Sequence, residues 1–183
     1  MIKYSFYIII IVMLFSLCKK KGKNNENSCN GNTRREVKIC TDDLANLIDT
    51  SRINSSIKEL GELTVPDKVK SETPRLGLEL KTYIITAKVD KLKKERDGDY
   101  HLRMVDEEGN YLICESANPG CEYASQSRFL TQIKEVRAFI EDNHLEGKTI
   151  TITGVAFVDI DHGYKRKQAK NNIEFHPILK ISF

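Results

Sequence analysis

The chain has 183 residues, of which 30% are charged, and a formal net charge of +3 at neutral pH. This length suits one folded domain with a sizeable core plus a tail. The balance of charge is too even to argue for nucleic acid from bulk electrostatics, so any functional reading has to come from local patterns.

Residues 1–18 read as a targeting segment. Lys3 gives a short positive start, and Phe6 to Phe15 is an unbroken apolar run. The run is short for a span of about 20 residues, which points to a secretory signal peptide, with an uncleaved N-terminal anchor as the alternative. Cys18 follows the run directly and precedes Lys19-Lys20-Lys21. A cysteine in this place resembles the lipidation box of bacterial lipoproteins, although Leu17 stands where a small residue is usual. Lipidation of Cys18 would place an exported protein on a membrane of the cell envelope, held by two or more acyl chains.

The remaining cysteines are Cys29, Cys40, Cys114 and Cys121. An even number fits an oxidising compartment. Local pairing as Cys29–Cys40 and Cys114–Cys121 is the expected connectivity, and the two other connectivities stay open. Neither spacing is a CxxC, so a cysteine metal site is a poor alternative.

Residues 19–33 are polar and Asn-rich, as a flexible tether is. Residues 34–75 form a small N-terminal segment and linker. In it Val37 and Ile39 suggest a short strand, Thr41-Asp42-Asp43 suggests the cap of a helix running to Ile48, and Ser55 or Ser56 caps a second helix over SIKELGEL. Pro66 and Pro74 mark residues 64–75 as a connection.

The main domain spans residues 76–183. Tyr83, Ile85, Ala87 and Val89 alternate with polar neighbours as a long first strand. Glu95-Arg96-Asp97-Gly98 carries the Asp-Gly hairpin signal. Tyr100, Leu102 and Met104 make a second strand, Tyr111 to Glu115 a third, and Asn118-Pro119-Gly120 ends it. Phe129, Ile133, Val136 and Ile140 fall at helical spacing within residues 127–142. Two further strands, residues 149–160 and 173–183, are joined by a long polar loop. The order strand, strand, strand, helix, strand, strand fits a β-rich (α+β) domain built as a five-stranded OB-type barrel, with one helix between strands three and four. An open α+β sheet of the same elements is the competitor.

Two groups of residues carry the candidate chemistry. Asp99, His101, Asp159, His162, Glu174 and His176 are carboxylates and imidazoles that a barrel would bring toward one rim. Such donors suit a divalent metal ion or proton transfer in hydrolysis; mutual pairing that braces the long loop is the structural alternative. By strand alternation, Asp159, Glu174 and His176 are expected to point away from the apolar face. Lys165-Arg166-Lys167 beside Tyr164, with His101, Arg103 and Asn172, form a candidate ligand-binding set, since a basic loop with an aromatic neighbour can track phosphates or acidic sugars. A turn role is the default for Asn171-Asn172.

Several stretches also resemble a widespread family of uncharacterised exported bacterial proteins. They are Glu36-Val37-Lys38 with Asp42, Asp97-Gly98-Asp99-Tyr100-His101-Leu102 with Glu115, Gly154-Val155-Ala156-Phe157-Val158-Asp159 with His162-Gly163, and Asn172-Ile173-Glu174-Phe175-His176-Pro177-Ile178-Leu179. The resemblance covers most of residues 34–183 and implies shared architecture without an assigned activity. The chain departs from the family pattern at Tyr164-Lys165-Arg166-Lys167, where glycines are usual, and after Glu115, where a Pro-rich version is usual.

The sequence therefore supports two functions of different class. One is a lipid-anchored surface module that binds a polyanion, a glycan or a protein partner. The other is a metal-dependent hydrolase, phosphodiesterase- or nuclease-like, that uses the His/Asp/Glu rim and a divalent cofactor.

Overall fold

The structure, a computed structural model, describes Cys29, residues 33–163 and residues 167–183. The segment expected to be a signal peptide with Cys18, most of the expected tether, and Tyr164, Lys165 and Arg166 lie outside the described residues. Six strands run in chain order: β1 (Asp49–Asn54), β2 (Lys81–Lys94), β3 (Tyr100–Val105), β4 (Tyr111–Ser116), β5 (Thr149–Val158) and β6 (Ile173–Ser182). Among the described residues three α-helices accompany them: α1 (Arg35–Ile39), α2 (Ile57–Glu62) and α3 (Leu130–Asp142).

Strands β2, β3, β4, β6 and β5 pair in that order, and β5 pairs back onto β2, so the sheet closes into a five-stranded barrel. β1 is an extra strand, parallel to the start of β2. The 14-residue β2 makes closure possible. Its first half pairs with β5 and its second half with β3, and the register shifts between Val89 and Lys91, where the strand changes partner. A register irregularity of this kind bends a strand and raises its twist. The Asp97-Gly98 turn then reverses the chain, with Gly98 at φ 89°, a conformation that glycine adopts without steric cost.

The alternating residues of β2 and β3 fill the barrel. Tyr83, Ile85, Ala87, Val89, Leu102 and Met104 are buried with Ile150, Ile152, Ala156, Phe175, Ile178 and Ile181. Val136 and Ile140 of α3, with Leu145, join the same core. At Gly154 the β5–β6 register shifts, and a Cβ there would stand 2.6 Å from Phe175 Cβ. Only a residue without a side chain allows the two strands to approach that closely.

The outward face of β5 departs from the sequence reading. Alternation assigns Thr153, Val155, Phe157 and Asp159 to the face opposite the core, yet all four are buried. Val155 belongs to a second apolar cluster, and Arg34 and Lys38 lie over Phe157. The cluster contains Ile39, Cys40, Ala45, Ile48, Ala117, Phe129, Ile133 and Val155. Each large apolar side chain removed from water stabilises the fold by about 1.5–3 kcal/mol, which is reason enough for the N-terminal segment to wrap the barrel.

Within that segment, Val37 and Ile39 do not form a strand. Residues 35–39 are a single helical turn bounded by Arg34 and Cys40 in the left-handed region, at φ 53° and 57°. Val37, Lys38 and Ile39 are all buried, because the turn packs on β6 and Arg75 reaches across to the Val37 carbonyl. The helix expected through Ile48 shrinks to a 3-10 turn at Ala45–Leu47. Asp42, expected to cap it, gives its carboxylate to Arg75 instead, at 2.6 Å. Ser56 does cap α2: it accepts from Glu59 N, and the Glu59 carboxylate accepts from Ser56 N.

Arg34 and Glu79 fasten the wrap. Both side chains are fully buried, and Arg34 Nη2 lies 2.7 Å from Glu79 Oε2. Glu79 also accepts from the backbone N–H of Leu76 and of Val158, and Arg34 donates to the carbonyls of Thr73, Pro74 and Val158.

The disulfide also differs from expectation. Cys29 is bonded to Cys121, 92 residues away, and not to Cys40. Cys40 and Cys114 are buried free thiols. Cys114 belongs to the barrel core and Cys40 to the outer cluster, so the local pairs Cys29–Cys40 and Cys114–Cys121 do not form. Burial pushes the Cys40 thiol up to about 12 and raises that of Cys114 as well.

Candidate functional site

Five elements meet beside the Asp97-Gly98 hairpin. Cross-strand register sets His101 of β3 directly opposite Glu115 of β4, and Ile113 of β4 opposite Glu174 of β6. α1 delivers Lys38 from above. Asp99 enters from the end of the hairpin, and Asp159 follows β5.

Glu115 is the hub. Its Oε1 lies 2.6 Å from His101 Nδ1, and its Oε2 lies 3.2 Å from His176 Nε2 and 3.5 Å from Lys38 Nζ. His176 Nε2 also faces Asp99 Oδ2 at 3.7 Å. Asp99 Oδ1 accepts from Asn118 N at 2.7 Å. On the other side of the imidazole, His176 Nδ1 donates to the Lys38 carbonyl at 2.9 Å. A short distance away, His162 Nε2 pairs with Asp159 Oδ2 at 2.9 Å. The Lys38 ammonium and the Arg34 guanidinium both lie over the Phe157 ring, at 5.2 and 5.0 Å from its centroid.

Burial separates this site from the solvent-facing rim that alternation implies. Asp99, Asp159, Glu174 and His176 are 2%, 7%, 3% and 0% exposed. Their protonation follows from that burial. Glu174 is pushed up to about 8, first by loss of solvent and then by the charges of Glu115 and Asp159. For His176, burial opposes the charged form, but the Asp99 and Glu115 carboxylates outweigh it and raise the imidazole to about 9. Glu115 moves well below the ordinary carboxylate range. Burial resists that, and Lys38, His101 and His176 overcome it. Burial likewise disfavours the Lys38 ammonium, and Glu115, Glu174, Asp159 and Asp99 together hold it charged more firmly than an ordinary lysine.

The cluster forms one side of a half-open cleft of about 690 Å³, lined by Lys38, His101, Glu115, Asp159, His162 and Glu174 together with Lys91, Lys93, Arg96, Arg103 and Lys167. Lys91, Lys93, Arg96 and Lys167 are exposed. Lys93 pairs with Glu95, Arg103 pairs with Asp90, and Lys167 Nζ lies 5.1 Å from the centroid of Tyr111. Glu95 and Asp97 line it as well, so the cleft has a mouth in which lysine and arginine outnumber carboxylates, above a carboxylate and imidazole floor.

The structure brings His101 and His176 together through Glu115, joins Asp99 to them through His176, and sets Asp159 with His162 as a neighbouring pair. Arg103 and Lys167 line the mouth. Asn172 adopts the left-handed conformation, at φ 58°, and closes the turn before β6: its carbonyl accepts from Asp159 N and its side chain accepts from Gln168. It is a turn residue. Two site residues escape a search for polar rims, Lys38 and Glu115. Both occur in the family resemblance, but period-two alternation gives no reason to place a lysine and a glutamate in a buried cluster.

No family model matches the chain, and no curated protein is significantly similar to it. Among solved structures, an asparaginyl-tRNA synthetase of Entamoeba histolytica is similar over 73% of this chain and 24% of that chain, at 11% identity and a TM-score of 0.40. A similarity that loose carries no argument about activity.

Proposed function

We propose that this chain is an exported, lipid-anchored binding module with an OB-type barrel, whose cleft holds a few units of a phosphate- or sulfate-bearing polyanion. The observation that carries the reading is the cationic mouth. Lys91, Lys93, Arg96, Arg103 and Lys167 come from two strands, a hairpin and the 159–172 loop, and they line one cleft. The volume of about 690 Å³ suits a bound segment rather than a broad protein interface. The strand order and the parallel pairing of β4 with β6 support the OB-type assignment. OB barrels bind through the second and third strands and the loops after the first and fourth, and β3, β4, the 95–99 turn and the 159–172 loop supply this cleft. The apolar run before Cys18 and the Cys29–Cys121 bridge support export to an oxidising compartment.

Fluorescence anisotropy with a labelled single-stranded oligonucleotide and with a heparin fragment tests the module. Saturable binding that weakens as salt rises is expected. Absence of binding at low salt, or binding indifferent to salt, refutes it. Hydrolysis is the second reading, favoured by the 2.6 Å contact of His101 with Glu115 inside the same cleft, which joins two proton carriers. Release of shorter products from the oligonucleotide would select that reading over simple binding.

A further inference from the structure

His176 is anchored on one nitrogen and turns the other toward two carboxylates. Nδ1 lies 2.9 Å from the Lys38 carbonyl, an oxygen that only accepts, so Nδ1 carries the hydrogen. Nε2 is buried and, among the described residues, makes no hydrogen bond. The Glu115 and Asp99 oxygens face it as charge partners at 3.2 and 3.7 Å. A backbone carbonyl that fixes the far nitrogen is the usual support behind a metal-bound imidazole, because it orients the ring, and a bound ion takes the place of the proton on the other nitrogen.

The three groups already converge. One ligand atom from each of Asp99, Glu115 and His176 lies within 4.8 Å of the others. Bonds of about 2.0–2.2 Å to a common ion bring neighbouring donors to roughly 3–3.5 Å apart, so modest side-chain movement suffices. Asp99, Glu115, Asp159 and Glu174 set four carboxyl groups around the site, with Lys38 and His176 among them. Glu115 lines the cleft, which offers an ion an access path.

We infer that Asp99, Glu115 and His176 form a binding site for a divalent transition-metal ion of the Mn²⁺ or Zn²⁺ type. Two carboxylates with one imidazole are harder than a zinc-finger set and softer than an all-oxygen calcium cage, which selects these ions. The inference is independent of the anion reading, because the ion is tested alone.

The test is equilibrium dialysis of the full-length chain, without a polyhistidine tag, against MnCl₂ and ZnCl₂. A single ion per chain is expected. Asp99→Asn and His176→Gln should each weaken binding by more than about tenfold, and the exposed Glu62→Gln should bind as the wild type does. In the wild type, Mn²⁺ should broaden the backbone resonances of Asp99, Glu115 and His176 before all others. Absence of binding at millimolar metal, binding unchanged in both site variants, or broadening centred elsewhere overturns the site. If His176→Gln does not fold, Asp99→Asn and the wild-type broadening decide.

Discussion

Glu79→Gln isolates the contact that holds the N-terminal wrap, and with it Lys38, over the site. The substitution keeps the shape and removes the charge. Glu79 accepts two hydrogen bonds from Arg34, at 2.8 and 2.7 Å, and two from the backbone N–H groups of Leu76 and Val158, at 2.7 and 2.8 Å. A glutamine presents an NH₂ where only donors point, and it leaves the Arg34 guanidinium buried without its counter-charge. Removing one partner of a buried ion pair costs about 3–5 kcal/mol. At roughly 2–4 °C per kcal/mol for a chain of this size, Tm should fall by about 10 °C. Urea unfolding followed by circular dichroism gives the free energy, and hydrogen exchange of residues 35–40 shows whether α1 loosens. The double substitution Arg34→Met with Glu79→Met should recover part of the loss, because no charge is stranded. A cost below about 1 kcal/mol for Glu79→Gln would refute the reasoning, and so would a double variant as unstable as the sum of the singles.

Gly154→Ala should destabilise by about 3 kcal/mol, since the new methyl meets Phe175 Cβ at 2.6 Å and both strands are held in the barrel; an unchanged urea midpoint would contradict that packing. Cys29→Ser should lower stability by about 4.6 kcal/mol, the chain-entropy value for a loop as long as this 92-residue separation. Equal unfolding midpoints for Cys29→Ser and wild type would show that the bridge contributes nothing. A radioactive fatty acid should label the wild type but not Cys18→Ser, and equal labelling would remove the lipid anchor from the account.

Much of the barrel was legible because its strands carry the period-two signal. Tyr83, Ile85, Ala87 and Val89 alternate cleanly, and Asp97-Gly98 announces its turn. β1 was not legible. Its sequence, DTSRIN, is exposed throughout and has no apolar face to read. The site residues on β5 and β6 were legible as a group, but not as buried ones. Alternation equates the face opposite the core with solvent. Here Val155 and Phe157 make that face apolar too, and α1 covers it, so Glu174 and His176 lie in a second interior. Lys38 was hidden for the same reason: between Val37 and Ile39 it looks like the polar beat of a strand, whereas the helical turn buries all three. The bridge partner of Cys29 depends on chain path across 92 residues, and local spacing contains no record of it.

The central claim is that the cationic mouth of the cleft binds a polyanion, and the salt dependence of binding by charge-removed variants tests it most directly. Binding of the labelled oligonucleotide should be measured across a salt series for wild type, Lys91→Gln, Arg96→Gln, Lys167→Gln and the triple variant, with Lys134→Gln on α3 as the remote control. Each mouth substitution should weaken binding and flatten the slope of log affinity against log salt by about one unit, while Lys134→Gln leaves both unchanged. A triple variant that keeps the wild-type slope would contradict the claim and move the binding surface away from this cleft.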